Sequence, residues 1–253
     1  MPILTNTSID SQPRRREART LVATIAALTA GFATVSQASP PSAHPDQPTY
    51  QSAEDASGAL FHALQSGDEK AVQKVLGGDH ELITCTDAAA DKVDRERFVE
   101  KFQQMHRLAR QSDGAKILYI GAENWPFPVP LVANDGVWRF DADAGAREVL
   151  FRRIGENEIT VMQTLLSGEV SENQAAPYHG YYFRIVSRSP QGFAAVAYPA
   201  AYRSSGVMTF VVTPNKVVYE KDLGPKGART AQTMREIRAD STWAPADAAG
   251  ASP

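Results

Sequence analysis

The sequence predicts an α+β protein: N-terminal helices on an antiparallel sheet, then a long helix and a C-terminal antiparallel β-meander. Apolar residues recur at helical spacing through residues 52–110. A second helical pattern begins at Asp143, and from residue 178 the apolar period changes to two. Helices and strands that occupy separate stretches of a chain are typical of α+β proteins rather than of alternating βαβ units.

Three helices are predicted at the start of the folded part. A capping-box pattern begins at Ser52, Gly67 should end the first helix, and Asp68 should cap the second. The third helix is expected over residues 91–110. Its apolar face would carry Phe98, Phe102, Met105 and Ala109.

Short strands and a hairpin are predicted next. Prolines at positions 126, 128 and 130 exclude residues 127–132 from a central strand. Asp135-Gly136 predicts a tight hairpin turn, because these residues tolerate positive φ. A last helix is expected over residues 228–238. The four strands of the meander are expected at residues 181–186, 193–198, 207–212 and 217–221.

The first 38 residues have the pattern of a signal peptide. Arg14 to Arg16 form a basic segment, residues 21–35 are apolar, and small residues lead to a cleavage site after Ala38. The apolar run is shorter than the ~20 residues that span a bilayer, so no stable membrane insertion is expected after cleavage. These features predict a periplasmic or secreted protein, and the residues after the arginines favour general secretion over the twin-arginine route.

Four regions are expected along the chain: the signal peptide, a disordered lead-in over residues 39–51, an α+β domain over residues 52–243, and a disordered tail over residues 244–253. The sequence leaves open whether the domain has one core or two subdomains, residues 52–166 and 177–243.

Composition excludes several classes of function. Removing the signal peptide leaves 22 basic and 27 acidic residues, a balance that disfavours nucleic acid as a partner. Cys85 is the single cysteine, so it closes no intramolecular disulfide. The five histidines have no ligand-pair spacing, and we predict neither a metal nor a cofactor.

The sequence identifies no catalytic residue. It lacks a Gly-x-Ser-x-Gly nucleophile motif and a phosphate-binding glycine loop. Asp141 and Asp143 stand at a strand-to-helix junction, where a helix cap is the expected role. Glu156 and Glu158 are expected to form ion pairs with neighbouring arginines on the helix surface. A non-enzymatic protein is therefore favoured over an enzyme.

Two groups of aromatic residues are the candidate binding sites. Tyr182 and Arg184 share one face of a strand, and that face is expected to be open. Tyrosines beside a cation suit recognition of a peptide or sugar, but tyrosine is also an ordinary strand residue. The segment of Trp125 and Phe127 either docks on a partner or packs on its own sheet edge. The full candidate set is Tyr182, Arg184, Tyr198, Tyr202, Trp125 and Phe127.

Six short sequence segments together resemble one family of bacterial exported proteins, domain of unknown function 2950. They lie at residues 125–131, 138–141, 152–158, 180–185, 205–210 and 218–225. The resemblance runs from about residue 52 to residue 243, with two segments, 167–177 and 187–192, that look shortened. It implies an exported, biochemically uncharacterised protein and supplies no catalytic residues.

Two weaker likenesses concern the fold alone. Residues 53–68 look like the start of NTF2-like domains, and residues 193–219 are similar to the sheet of pilin-like subunits. The resulting hypothesis is a non-enzymatic binding or envelope-assembly protein whose partner is another exported or envelope protein. The alternative is an NTF2-like pocket that carries or converts a small molecule, with His106 or Asp141 at its mouth.

Overall fold

The computed structural model describes residues 46–77, 88–170, 176–190 and 192–246. The predicted signal peptide, Cys85 and the end of the tail lie outside the described residues. The α-helices within these ranges are α1 (Ala53–Ser66), α2 (Glu69–Leu76), α3 (Ala88–Gln104), α4 (Ala142–Ser167) and α5 (Gly227–Thr233). With two antiparallel sheets beside them, the α+β class is confirmed.

The first two helices begin and end where the sequence predicts. The Ser52 hydroxyl accepts a hydrogen bond from the Asp55 amide at 3.0 Å, and Asp68 accepts from two amides of α2. Gly67 adopts a left-handed conformation, with φ of 70°, and ends α1. Local capping chemistry is sufficient to set these boundaries.

The N-terminal sheet is antiparallel, with strand order β1-β2-β4-β5 and β3 paired to β2. α1, α2 and α3 lie against it, and one hydrophobic cluster that includes Leu60, Phe102, Leu118 and Phe140 joins helices to sheet. The strands are β1 (His106–Arg110), β2 (Lys116–Ile120), β3 (Trp125–Pro126), β4 (Leu131–Asn134) and β5 (Val137–Phe140).

The prediction of one helix over residues 91–110 is wrong at its C-terminal end. α3 stops at Gln104, and the next residues form β1, which pairs with β2 from His106 to Arg110. Met105 and Ala109 have helical spacing, but hydrogen bonding to β2 outweighs it. Because this pairing is a tertiary interaction, the local sequence pattern does not predict it.

The predicted hairpin is present between β4 and β5. Asp135 and Gly136 have φ of 50° and 81°, the two positive values that a type I′ turn requires, and Asn134 pairs with Val137. This turn fixes the register that places Phe140 beside Leu131 in the core.

Helix α4 buries opposite faces along its length. Near its start Gly145 faces Val129, whose methyl carbon would lie 2.7 Å from a Cβ at that position. Val161 and Leu165 lie sixteen and twenty residues later, about four and a half and five and a half turns, so they point the other way. They belong to a second hydrophobic cluster, on the C-terminal sheet. α4 therefore contacts the N-terminal part with one face and the C-terminal sheet with the other.

The C-terminal sheet is the predicted meander, in the order β10-β9-β8-β7-β6. α4 covers one face, and α5 with the segment after it covers the other. The predicted helix 228–238 is too long, because α5 ends at Thr233. Ala244 and Pro245, expected in the tail, pair with Glu220 and Tyr219. The strands are β6 (Tyr181–Ser189), β7 (Gly192–Pro199), β8 (Thr209–Val212), β9 (Val218–Lys221) and β10 (Ala244–Pro245).

Candidate binding surface

Trp125 is an exposed indole on β3 that a cation holds in place. Trp125 is 40% exposed, and the guanidinium carbon of Arg152 lies 5.5 Å from the centroid of the indole ring. The same guanidinium donates to the Pro126 carbonyl oxygen at 2.8 Å and to Glu148 Oε1 at 2.8 Å. The indole is therefore presented to solvent from a fixed position on two regular elements.

Phe127, two residues further on, points into the protein. Its ring centroid lies 5.6 Å from that of Phe98 and 6.1 Å from that of Phe140, both in edge contact. Phe127 packs against the N-terminal hydrophobic cluster. The two alternatives for the proline-rich segment thus apply to different residues: Phe127 anchors the segment internally, and Trp125 remains outside.

Phe151 is the most exposed large apolar residue of the described chain, at 64%. It lies eleven residues before Met162, about three turns, so it stands on the α4 face that Met162 buries against the C-terminal sheet. The α4 residues that pack on the C-terminal sheet in the second hydrophobic cluster begin only at Ile159, after Phe151. The change of buried face along α4 is what leaves this aromatic ring uncovered.

Trp125, Glu148, Phe151 and Arg152 together form what we call the Trp125 surface. Arg152 contacts the Trp125 ring and follows Phe151 directly in α4. Gly155, one turn after Phe151, leaves open space where a side chain would stand. Aromatic and arginine side chains in such a setting are the residue types that dominate binding energy at protein interfaces.

Tyr182, Arg184 and Tyr198 lie on the sheet face beneath α5, and the expectation that this face is open is wrong. Arg184 Nη2 donates to the carbonyl oxygens of Ala231 and Met234, at 2.8 and 2.5 Å. Tyr198 is buried, and its ring centroid lies 6.0 Å from that of Tyr182. These side chains attach the last helix to the sheet.

Tyr202 lies in the turn after β7, with partners of its own. Its hydroxyl donates to Asp222 Oδ2 at 3.0 Å, and the Arg203 guanidinium lies 5.4 Å from its ring centroid. The contacts of Tyr202 are thus distinct from those that hold Tyr182, Arg184 and Tyr198.

Sequence reasoning missed a part-buried polar cluster between α4 and the C-terminal sheet. Glu158, expected to form a surface ion pair, instead accepts three hydrogen bonds on Oε1. The donors are the amides of Val207 and Met208, at 2.8 and 2.9 Å, and the Tyr181 hydroxyl at 3.1 Å. The donors lie 23 to 50 residues after Glu158 in the sequence, so no local pattern predicts these hydrogen bonds.

Burial shifts two titrating groups in this cluster. Loss of solvation, followed by the negative charge of Glu158, raises the pKa of the Tyr181 phenol. The same two causes, in the same order, raise the pKa of Glu220. Both shifts favour the protonated form of the group: the phenol of Tyr181 and the carboxyl group of Glu220.

The polar residues proposed for a pocket mouth are engaged in structure. Asp141 caps α4 by accepting from the Ala144 amide at 3.0 Å, as its position predicts. His106 stacks on Phe102, with ring centroids 3.9 Å apart, and its Nδ1 lies 2.9 Å from the Phe102 carbonyl oxygen. Among the described residues, no group of three His, Cys, Asp or Glu side chains could hold a metal ion.

No helix within the described ranges has both the length and the apolar character to cross a bilayer.

The fold and this surface define an α+β protein with an exposed aromatic surface on a long bridging helix. The chain belongs to the family described as protein of unknown function DUF2950, which matches residues 47–168 and 188–246. The family expected from the sequence is thereby confirmed. Neither the curated proteins nor the solved structures include one that matches this chain.

Proposed function

We propose that this chain is an exported, non-enzymatic binding protein, and that it docks on another exported or envelope protein through the Trp125 surface. The observation that carries the proposal is the exposure of two aromatic residues: Trp125, whose ring Arg152 contacts, and Phe151, which precedes Arg152 in α4. Exposed aromatics on rigid elements lose little conformational entropy on binding, so they suit recognition of a folded partner.

The roles of the acidic residues support binding rather than catalysis. Asp141 is committed to a helix cap, and Oε1 of Glu158 already accepts three hydrogen bonds. A carboxylate with this many structural donors is poorly placed to exchange protons with a substrate. The centre of the N-terminal cluster is filled by Leu60, Leu118 and Phe140, each fully buried, which supports the same reading.

Export is the second part of the proposal and rests on the first 38 residues. The basic segment, the apolar run and the small residues before Ser39 support cleavage after Ala38. The test is N-terminal sequencing of the protein from osmotic-shock and cytosolic fractions. A chain that begins at Ser39 in the periplasmic fraction is expected. Full-length chain in the cytosol alone would reject export.

A direct test of docking uses the double variant Trp125→Ala/Phe151→Ala. The tagged mature chain is used to enrich partners from periplasmic extract, and each enriched protein is then purified and titrated against it. We expect one partner whose affinity falls at least ~100-fold in the double variant, since truncated aromatic hot spots cost about 2 kcal/mol or more each. Trp125 is 40% exposed and Phe151 64%, so the melting temperature is measured as well, and binding is compared at a temperature at which the double variant is folded.

The matched control is Val93→Ala, which removes another exposed apolar side chain, on α3. This variant should bind the purified partner as the wild type does. If the double variant retains wild-type affinity for every enriched protein, the Trp125 surface is not the docking site.

A further inference from the structure

A cavity of about 270 Å³ lies on the α5 side of the C-terminal sheet, away from α4 and the Trp125 surface. It is about half open to solvent, so it is a surface recess rather than an internal packing void. It is lined by Val211, Met234, Glu236, Ile237, Arg238 and Trp243.

The wall of the cavity is a tethered segment, residues 234–243, which contains neither helix nor strand. At its start Arg184 holds the Met234 carbonyl oxygen. At its end Lys221 Nζ donates to Thr242 Oγ1 at 2.7 Å and lies 5.8 Å from the Trp243 ring centroid, and β10 pairs with β9. The segment is fixed at both ends while its centre stands over the sheet, which leaves a partly open recess between the segment and the sheet.

The lining selects the chemical class of the occupant. Val211 belongs to the buried cluster on this face, and Met234, Ile237 and Trp243 pack against it as partly buried apolar side chains. A thioether and an indole both make favourable contacts with aromatic rings. The two charged residues, Glu236 and Arg238, pair with each other at 2.8 Å and are largely exposed. A charged ligand would have to compete with that pair, whereas a neutral ring would not.

We propose that this cavity binds a small, neutral aromatic molecule of one or two rings. The volume is just below the ~300–1,000 Å³ of sites that hold drug-sized ligands, so an occupant of fragment size fits. The proposal does not depend on the Trp125 surface, because the cavity lies on the opposite face of the C-terminal sheet and shares no residue with that surface.

The test uses indole as the probe, titrated into the mature chain and followed by heteronuclear NMR. We expect a dissociation constant of about 1 mM or tighter, with shifts concentrated at the Met234 methyl and Trp243 indole signals. The Trp243 signal is assigned with the Trp243→Phe variant. Indole-3-acetate and tryptamine, which carry a negative and a positive charge, should each bind at least about threefold more weakly than indole.

Ile237→Phe, designed to fill the cavity, should weaken indole binding at least tenfold. Arg235→Ala is the matched control, since Arg235 is exposed in the same segment and does not line the cavity. If Ile237→Phe does not fold, the location of the shifts in the wild type decides the question. No shift at Met234 or Trp243 with ~5 mM indole, or equal binding by the folded Ile237→Phe variant, would overturn the proposal.

Discussion

Glu158 Oε1 and the Tyr181 hydroxyl lie 3.1 Å apart, and the same hydroxyl lies 2.9 Å from the Met208 carbonyl oxygen. The phenol has one proton for two acceptors, so it serves one of them at a time. Since Glu158 also accepts from two amides of the segment before β8, one carboxylate oxygen ties α4 to two parts of the C-terminal sheet. Removing either partner should therefore lower stability rather than remove an activity.

Tyr181→Phe should lower the free energy of unfolding by about 1 to 2 kcal/mol, because it leaves buried acceptors with one donor fewer. Urea unfolding followed by circular dichroism measures the change. Tyr178→Phe is the control, since Tyr178 is an exposed tyrosine just before β6. Equal stability of Tyr181→Phe and wild type would show that the hydrogen bonds of the phenol make no net contribution to the free energy of unfolding.

Two glycines near this cluster should respond in opposite directions to alanine. A Cβ at Gly206 would overlap the Tyr181 ring and hydroxyl, so Gly206→Ala should destabilise the protein by about 2 kcal/mol or more. Gly155 lies inside α4 with open space around it, and Gly155→Ala should stabilise by about 0.5 to 1 kcal/mol. Thermal unfolding of both variants tests the pair. A stabilised Gly206→Ala would contradict the packing described for Tyr181.

Glu220 makes stability depend on pH. Its pKa is raised in the folded state by burial and by the charge of Glu158, so folding favours the protonated form. Stability is therefore lost as the pH rises from the unfolded pKa of ~4.3 through the higher folded value. Glu220→Gln should be more stable than wild type at pH 7, and the difference should vanish below about pH 4.

Unfolding of Glu220→Gln and wild type across pH 3.5 to 8 tests this sign. Glu156→Gln is the control for the change in net charge, since Glu156 is exposed on α4. A Glu220→Gln variant that is less stable than wild type at pH 7 would mean that the ionised carboxylate is stabilising.

Features with a local physical cause could be predicted from the sequence. The Ser52 and Asp141 caps and the Asp135-Gly136 turn each depend on residues within three positions of one another. The meander also follows from local information. Its strand segments have an apolar period of two and are joined by short turn segments, a pattern that specifies antiparallel pairing. For these elements, side-chain chemistry and backbone preference agree with the final fold.

What the sequence did not predict depends on distant partners. β1 forms at residues of helical spacing because β2 is present to pair with it. The hydrogen bonds of Glu158 depend on amides about 50 residues away. The open face expected beside Tyr182 is covered by α5, whose packing position cannot be obtained from the strand pattern. Exposure of Phe151 likewise follows from the change of buried face along α4.

Variants of Arg184 test whether this residue has a structural role or a role in recognition. Its guanidinium holds two carbonyl oxygens at the end of α5, so Arg184→Met, which keeps the apolar stem, should lower the free energy of unfolding by about 2 kcal/mol. Arg184→Lys should recover part of that loss, because one ammonium group can still reach a carbonyl oxygen. Both folded variants should bind a partner of the Trp125 surface with wild-type affinity. Urea unfolding and titration of that partner measure the two effects separately. Lost binding at unchanged stability would instead assign Arg184 to a recognition surface on the sheet.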